Sequence, residues 1–182
     1  WSPRAFSETA LDAQIVHSLL EAARWAPSAN NSQPWGYLMA QLEEGAEYER
    51  LLGCLNASNQ TWAKAAPLLL VSVVDTVNRN NGKALLTAWH DVGLANSQLF
   101  LQATSMGLAL HMMGGINREK ISTEYNLPEQ CHPIAAIAVG YPGQIETLPP
   151  DLQEKERTER IRLPQAEFVF KGAWGQRAFS DG

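Results

Sequence analysis

One segment of eight residues, Pro67 to Val74 (PLLLVSVV), restricts the fold of this chain more than any other. It is apolar at nearly every position, rich in β-branched residues, and bounded by a proline and by Asp75. A strand with apolar side chains on both faces needs cover on both faces, which is typical of a buried strand. The segment therefore predicts a buried strand inside a sheet.

The rest of the chain supplies helices and further strands to surround that strand. Leu11, Ile15 and Leu19 recur at helical spacing in a stretch that ends before Pro27. The segment from Lys83 to Met106 is apolar or small nearly all round, which predicts a long central helix. Shorter elements are predicted as strands at 35–40, 108–113 and 133–140 and as helices at 48–55 and 117–125. This order of elements predicts an α+β fold with a mixed central sheet covered by helices.

Composition limits the functional classes that are open to the chain. Its 14 basic and 19 acidic residues give a net charge of −5, so we expect no nucleic-acid partner. No apolar run approaches the roughly 20 residues of a membrane span, so we expect a cytoplasmic protein with no membrane partner. Charged residues make up only 18%, against about 25% in typical soluble domains, and six residues are tryptophan. We therefore expect exposed apolar surface that a ligand or a second subunit covers.

The usual catalytic and metal-binding signatures are missing from the sequence. The four histidines never stand three or four residues apart, so no metal site is expected. Cys54 lies on a predicted helix face, which favours a buried, unreactive thiol over a nucleophile. His90 and Asp91 lie within the predicted long helix, where a structural histidine is favoured over a catalytic base. No residue is therefore assigned as a catalytic acid, base or nucleophile.

Polar residues and glycines gather in segments between the apolar elements. They stand in five places: Ser2 and Arg4, 28–33, 59–61, Gly114–Gly115, and Arg160 and Arg162. Arginines and hydroxyls suit a phosphate, and asparagine amides suit a heterocyclic ring. Paired glycines let a backbone N–H come close to a planar ligand. The pattern is compatible with a site for a phosphorylated heterocycle, and also with ordinary turns and helix caps.

Five motifs occur in order along the chain. They are Trp1-Ser2-Pro3-Arg4-Ala5-Phe6, 23–35 (ARWAPSANNSQPW), 113–117 (MGGIN) with 127–129 (LPE), 138–142 (AVGYP), and 160–164 (RIRLP) with 168–174. Together they resemble motifs of the FMN-dependent nitroreductase family, and the resemblance covers nearly the whole chain. It implies a nitroreductase-like fold, built as an interlocked homodimer with two sites at the subunit interface. It also implies that residues 1–182 form one domain, in which residues 144–182 are a C-terminal extension wrapping the partner subunit.

The resemblance implies an FMN site. Ser2 matches a residue at the FMN phosphate, and Arg4 matches a residue that faces the ribityl chain or the ring edge. Asn59 matches an asparagine at the polar edge of the isoalloxazine ring. Gly114 and Gly115 match a turn whose backbone N–H reaches flavin N5.

Two further groups complete the implied site, and two positions depart from the family pattern. Arg160 and Arg162 match a basic pair that closes on the phosphate. The other subunit contributes its loop residues Pro27, Ser28, Ala29 and Asn31.

The first arginine of the family motif falls before Trp1, so we expect residues upstream of this position, one of them a phosphate ligand. Trp62 stands where some members have a lysine near the flavin pyrimidine, and Lys64 is a candidate substitute.

The implied activity is that of an FMN-dependent NAD(P)H oxidoreductase. NADH or NADPH gives a hydride to flavin N5, and a small-molecule acceptor such as a nitroaromatic or a quinone then takes it in a ping-pong cycle. Two alternatives stay open at this point. One is a flavin-binding sensor or carrier without turnover. The other is a flavin enzyme of the same family with another donor, such as a dehydrogenase or a dehalogenase.

Overall fold

Four strands form one sheet in the computed structural model, which describes residues 1–179 of the chain. The strands are β1 (Trp35–Gln41), β2 (Leu68–Asp75), β3 (Ala109–Met113) and β4 (Cys131–Gly140). Their order across the sheet is β1-β2-β4-β3. Leu69 of β2 pairs with Ala40 of β1 and with Ala138 of β4, so β2 has a neighbour on each side. Every residue of β2 is buried, which confirms the buried strand predicted from its apolar run.

The pairing within the sheet corrects one detail of the prediction, because a mixed sheet was expected. All neighbouring strands in the described residues are antiparallel. The connection from β2 to β3 runs through a long helix and leaves these two strands parallel, but β4 lies between them and pairs antiparallel with both. A helical crossover produces a parallel ladder only when its two strands are adjacent. The α+β class itself is confirmed.

Helices cover both faces of the sheet. They are α1 (Ala13–Arg24), α2 (Ala46–Leu52), α3 (Ala57–Ala63), α4 (Ala88–Ser105), α5 (Arg118–Glu124) and α6 (Pro150–Arg157). Residues of α1 and α4 form one core with Leu68 and Leu70. Residues of α2, α3 and α5 form the other core with Leu69 and Val71. Successive side chains of a strand point to opposite faces, so β2 contributes to both cores.

The predicted helices are present, with ends that tertiary contacts shift. The long helix α4 begins at Ala88 rather than at Lys83, because the preceding residues form a turn in which Val77 pairs with Ala84. Asn117 caps α5 as expected, because its side chain accepts a hydrogen bond from the backbone N–H of Lys120. Residues 59–61 were expected in a loop, but they lie inside α3, whose buried end packs into the core.

The N-terminal segment pairs with the chain that leaves β4. The Ser7 N–H donates to Tyr141 O over 2.9 Å, and the Gly143 N–H donates to Ala5 O over 2.9 Å. Beyond α6, residues 158–179 are mostly exposed. The single domain over 1–182 and the wrapping extension over 144–182 stay predictions, and residues 180–182 lie outside the described residues. Across the described range, none of the helices combines the length and the apolarity that a bilayer crossing requires.

Candidate functional site

Arg4 is held by a buried carboxylate from late in the chain. Its backbone N–H donates to Glu156 Oε1 over 3.0 Å, and its Nη1 donates to the same oxygen over 3.2 Å. Glu156 and Leu152 are the buried residues of α6. The Glu156 side chain is 1% exposed, whereas that of Arg4 is 27% exposed. Arg4 is therefore fixed at its backbone and at its guanidinium while it still reaches the surface.

The Arg4 guanidinium lies over an aromatic stack. Its Cζ is 6.0 Å from the centroid of the Trp62 ring, which is within the range of a cation–π contact. Trp62 stacks on Phe6 at a centroid distance of 6.2 Å and contacts the His111 ring at 4.5 Å. These side chains come from the N-terminal segment, from α3 and from β3. We call Arg4, Trp62, His111 and Glu156 the Arg4 cluster.

His111 is half-buried against the N-terminal segment. Its Nδ1 lies 2.9 Å from Pro3 O. A carbonyl oxygen only accepts, so Nδ1 carries the proton and Nε2 is an acceptor in the neutral ring. Burial is the main cause that lowers the pKa of His111 below its ordinary value, and the charge of Arg4 acts in the same direction. The ring is therefore neutral at pH 7.

The turn after β3 presents backbone groups beside α3. Asn59 Nδ2 donates to Gly115 O over 3.1 Å, and the Asn56 N–H donates to the same oxygen over 3.0 Å. A Cβ on Gly115 would lie 2.7 Å from Asn59 Nδ2, whereas a Cβ on Gly114 would meet open space. Within the described part of the chain, the amide N–H groups of both glycines lack an acceptor, and Asn59 Oδ1 lacks a donor. The turn and Asn59 therefore offer two donors and one acceptor to a bound molecule.

A buried carboxylate also holds the loop at 27–33. Asp91, in the first turn of α4, accepts at Oδ2 from the Ala29 N–H over 3.1 Å and from Thr87 Oγ1 over 3.2 Å. Its Oδ1 lies 3.3 Å from Nδ1 of His90, whose side chain is 72% exposed. The buried member of the His90–Asp91 pair is thus the carboxylate, and it joins the loop to the long helix.

The backbone of this loop is strained. Asn30, Asn31 and Gln33 have φ values of 51°, 54° and 48°, in the left-handed region that residues other than glycine seldom adopt. Ser28 Oγ accepts a hydrogen bond from the Gln33 N–H over 3.0 Å. Strained conformations persist where surrounding contacts hold them. No hydrogen bond, ion pair or ring contact between described residues joins Pro27, Ser28, Ala29 or Asn31 to the Arg4 cluster.

Arg160 and Arg162 follow α6 on an exposed segment. Arg160 lines a cavity of about 240 Å³ together with Trp1 and Glu156, which places it beside the N-terminal segment. Nη1 of Arg162 donates over 2.8 Å to the carbonyl of the preceding residue. Within residues 1–179, the structure brings Arg160 to the Arg4 cluster but gives Arg162 no contact with it.

The N-terminal segment borders a cavity through alternate residues. Trp1, Pro3 and Ala5 line a cavity of about 360 Å³ beside α4 and β3. Ser2 and Arg4 are absent from the lining of this cavity, and Ser2 is exposed. Trp1, Pro3 and Ala5 therefore face the cavity, whereas the Ser2 side chain is exposed.

Trp62 connects the predicted site residues within one chain. It packs under Arg4 and lies three residues after Asn59 on α3, while Asn59 contacts the Gly114–Gly115 turn. Trp62 itself is buried, so it is part of the packing of the site. Lys64 is exposed at the end of α3 and does not belong to the Arg4 cluster.

Two buried carboxylates of the site were missed by reasoning from the sequence. Glu156 stands in the charge-rich run DLQEKERTERIR, where exposed side chains are the ordinary expectation. The available signal was its spacing of four residues from Leu152, because residues four apart share one helix face. For Asp91, no sequence signal points to its contact with the distant Ala29 N–H.

Comparison with known proteins agrees with this architecture. The model of the nitroreductase family matches residues 1–141. The solved structure of an oxidoreductase containing FMN superposes with a TM-score of 0.91 and 32% sequence identity, over 97% of this chain and 90% of that chain. A Streptomyces coelicolor protein whose name assigns it to the NADH dehydrogenase/NAD(P)H nitroreductases is 26% identical over 158 residues, which are 76% of this chain and 77% of that protein.

A second relative is the FMN reductase (NADPH) of Bacillus subtilis. It is 23% identical over 171 residues, which are 85% of this chain and 67% of that protein. The family match extends over most of the chain, and the four-stranded sheet with its helices corresponds to the fold of the solved relative. The resemblance inferred from the five sequence motifs is confirmed: this chain belongs to the nitroreductase family.

Proposed function

We propose that this protein is an FMN-dependent NAD(P)H oxidoreductase that reduces a small-molecule acceptor such as a nitroaromatic or a quinone. The observation that carries the proposal is the Gly114–Gly115 turn, whose amide N–H groups are unpaired within the described residues and lie beside the Asn59 amide. The FMN of the solved relative and the name of the Bacillus subtilis relative support the choice of cofactor. The names of the relatives also support NADH or NADPH as the donor.

The residues of this chain fit FMN by their chemistry. Unpaired N–H groups on the glycine turn suit a ring nitrogen that accepts, and the free Asn59 Oδ1 suits a ring N–H. Arg4 supplies a partly exposed guanidinium, Arg160 lines a cavity with Trp1 and Glu156, and Ser2 follows Trp1 in the chain. Hydroxyls and guanidinium groups are suitable ligands for a phosphate. We therefore assign Ser2 and Arg160 to the phosphate, and Arg4, Asn59, Gly114 and Gly115 to the ring and the ribityl chain. Arg162 is assigned to the phosphate because it belongs to the same basic pair of the family motif as Arg160.

When bound, FMN supplies the redox chemistry, accepting a hydride from NADH or NADPH and passing it to the acceptor in a second half-reaction. The protein then needs no nucleophile or general base of its own. Its backbone donors stabilise negative charge on the ring, and Arg4 supplies a directed hydrogen-bond donor that orients it. Its buried Trp62 and Phe6 form a packed aromatic support beside Arg4.

The proposed site includes a second copy of the chain. The loop residues Pro27, Ser28, Ala29 and Asn31 have no contact with the Arg4 cluster of their own chain among the described residues, which supports a role in the site of a partner subunit. We propose an interlocked homodimer with two such sites. The exposed apolar residues after α6, which include Ile161, Leu163, Phe168 and Trp174, support a tail that wraps the partner.

Three measurements on purified protein test the proposed function. The protein is expected to be yellow, and acid is expected to release FMN rather than FAD. Steady-state oxidation of NADH or NADPH is expected with a quinone or a nitroarene as the acceptor. A colourless protein with no affinity for added FMN contradicts the cofactor assignment. Bound FMN without turnover, whatever the acceptor, supports a flavin sensor or carrier instead.

The phosphate assignment has its own test. Arg162→Ala removes a charged donor, so the binding free energy of FMN is expected to weaken by about 1.5–3 kcal/mol. The matched control is Arg157→Ala, because Arg157 is an exposed arginine of α6 that pairs with Glu146 over 3.5 Å. Fluorescence titration of FMN-free protein measures both affinities. An unchanged affinity in Arg162→Ala refutes the assignment of this residue.

A further inference from the structure

Glu156 contacts Arg4 in an unusual way. A single carboxylate oxygen, Oε1, accepts from both the backbone N–H and the Nη1 of Arg4, at 3.0 Å and 3.2 Å. The two residues lie 152 positions apart in the sequence. These bonds fix where the backbone of Arg4 lies and in which direction its guanidinium points.

The pair is not explained by stability alone. The Glu156 side chain is 1% exposed, and its Oε2 has no hydrogen-bond partner among the described residues. Burying a carboxylate costs desolvation free energy, and one ion pair often does no more than offset that cost. An unpaired second oxygen makes the balance less favourable. Apart from stability, Glu156 affects two things: where Arg4 lies, and the net charge around Arg4.

The groups around the pair come from several elements. Trp62 of α3 lies under the guanidinium, and neutral His111 of β3 packs on Trp62. Arg160 follows α6 and lines the cavity that Glu156 also lines. Glu156 is thus the carboxylate that faces Arg4 within the described residues, and it cancels the charge of Arg4 at the ring side of the proposed site.

We propose that Glu156 is a positioning residue for Arg4, which it holds toward the cofactor and whose charge it neutralises. This inference rests on the proposed function, because Arg4 is assigned to FMN there. Glu156 acts through Arg4 and touches neither cofactor nor substrate. With the carboxylate in place, the ring has a directed donor beside it without a full positive charge.

Two variants separate position from charge. Glu156→Gln keeps the volume and an acceptor oxygen for Arg4 but removes the negative charge. Glu156→Ala removes both the acceptor and the charge. Glu146→Gln is the matched control, because Glu146 pairs with Arg157 at the surface close to α6. FMN affinity, the FMN midpoint potential, and the ratio of kcat to KM are measured for each variant.

Glu156→Gln is expected to keep the FMN affinity within about threefold of the parent and to shift the midpoint potential in the positive direction. The shift is expected because an unneutralised Arg4 stabilises the negatively charged reduced cofactor. Glu156→Ala is expected to weaken FMN binding about tenfold or more, and Glu146→Gln is expected to leave affinity and potential unchanged. If Glu156→Gln leaves the potential unchanged, the charge role is wrong. If Glu156→Ala keeps the parent affinity, the positioning role is wrong.

A measurement without cofactor keeps the inference distinct from the proposed function. In FMN-free protein, the Arg4 backbone N–H, which donates to Glu156 Oε1 over 3.0 Å, is expected to be protected from solvent exchange in the parent and in Glu156→Gln, and to lose this protection in Glu156→Ala. Where Glu156→Ala does not fold, Glu156→Asp, whose shorter side chain withdraws the acceptor, replaces it. Unchanged protection of the Arg4 backbone N–H in the variant that lacks the acceptor overturns the positioning role. A parent protein with protected Arg4 that binds no FMN contradicts the proposed function instead.

Discussion

At the scale of single residues, the two adjacent glycines after β3 differ in what surrounds them. A Cβ at Gly115 would lie 2.7 Å from Asn59 Nδ2 and 3.1 Å from Asn56 Nδ2, while a Cβ at Gly114 would meet open space. The carbonyl of Gly115 is also the acceptor that ties this turn to α3. Position 115 therefore requires glycine for close approach, whereas position 114 tolerates a methyl group.

Gly115→Ala is expected to lower the free energy of unfolding by about 1–3 kcal/mol, because the new methyl group displaces Asn59 from the Gly115 carbonyl. The control Gly114→Ala is expected to change it by less than about 0.5 kcal/mol. Urea denaturation of the FMN-free proteins measures both changes. Equal losses in the two variants would show that Asn59 yields without cost and that the turn is not held by this contact.

His111 makes the stability of the FMN-free protein dependent on pH. Burial lowers its pKa in the folded state below the ordinary value, so the unfolded chain binds a proton more readily than the folded one. The contribution of His111 is therefore fully present above about pH 6.5 and is lost as pH falls from there through the folded-state pKa.

The free energy of unfolding is expected to decrease below about pH 6.5, and His111→Gln is expected to flatten this decrease. His17→Gln serves as the control, because His17 is exposed on α1. Urea denaturation at a series of pH values measures the slope for each protein. The interpretation is wrong if His111→Gln and the parent keep the same slope.

At the scale of elements, the loop between α1 and β1 depends on α4 for its shape. Three of its residues adopt the unfavourable left-handed backbone conformation. The Ala29 N–H of this loop donates a hydrogen bond to Asp91 of α4. A helix that packs between the sheet and solvent thus holds a loop that we assign to a partner's cofactor site. The contact connects the packing of α4 to the geometry of that loop.

Asp91→Ala leaves the Ala29 N–H and the Thr87 hydroxyl without their acceptor. We expect a loss of about 1–3 kcal/mol in the free energy of unfolding and faster hydrogen exchange at the Ala29 amide. Glu129→Ala is the control, because Glu129 is an exposed carboxylate in a loop. NMR hydrogen exchange identifies the loop directly. Unchanged protection at Ala29 would mean that other contacts hold the loop.

At the scale of the whole molecule, the apolar surface anticipated from the low charge content is visible. Trp89 and Leu101 of α4 are 52% and 60% exposed, and Trp174 of the tail is 91% exposed. Large exposed apolar residues that recur along one helix are typical of an association surface. The same helix packs on α1 and on the sheet with its other face, so a partner on its exposed face would make it central to a dimer.

We expect sedimentation equilibrium to give twice the mass of one chain. Leu101→Glu is expected to shift the protein toward monomer and to weaken FMN binding as well, because the proposed site uses residues of two subunits. Gln14→Glu, on the exposed face of α1, adds the same charge elsewhere and is expected to keep the dimer. A monomeric parent that binds FMN with full affinity contradicts the shared site.

The sequence by itself determined the class of fold, the burial of β2, most helices and strands, and the family. These properties follow from local signals: the apolar periodicity of each segment, caps such as Asn117, and short motifs that can be recognised without knowing their partners. It also pointed to Arg4, Asn59 and the two glycines, because their residue types suit a phosphate and a ring.

Only the tertiary structure decided how these parts meet. In the fold, β4 lies between β2 and β3, Glu156 accepts hydrogen bonds from Arg4, and Asp91 accepts a hydrogen bond from the Ala29 N–H. Each of these is a contact between residues far apart in the chain, and its partner is selected by the packing of all the elements at once. Residue type and spacing along the sequence therefore do not predict which distant residues come into contact. The burial of Glu156 and of Asp91 therefore could not be predicted from the sequence.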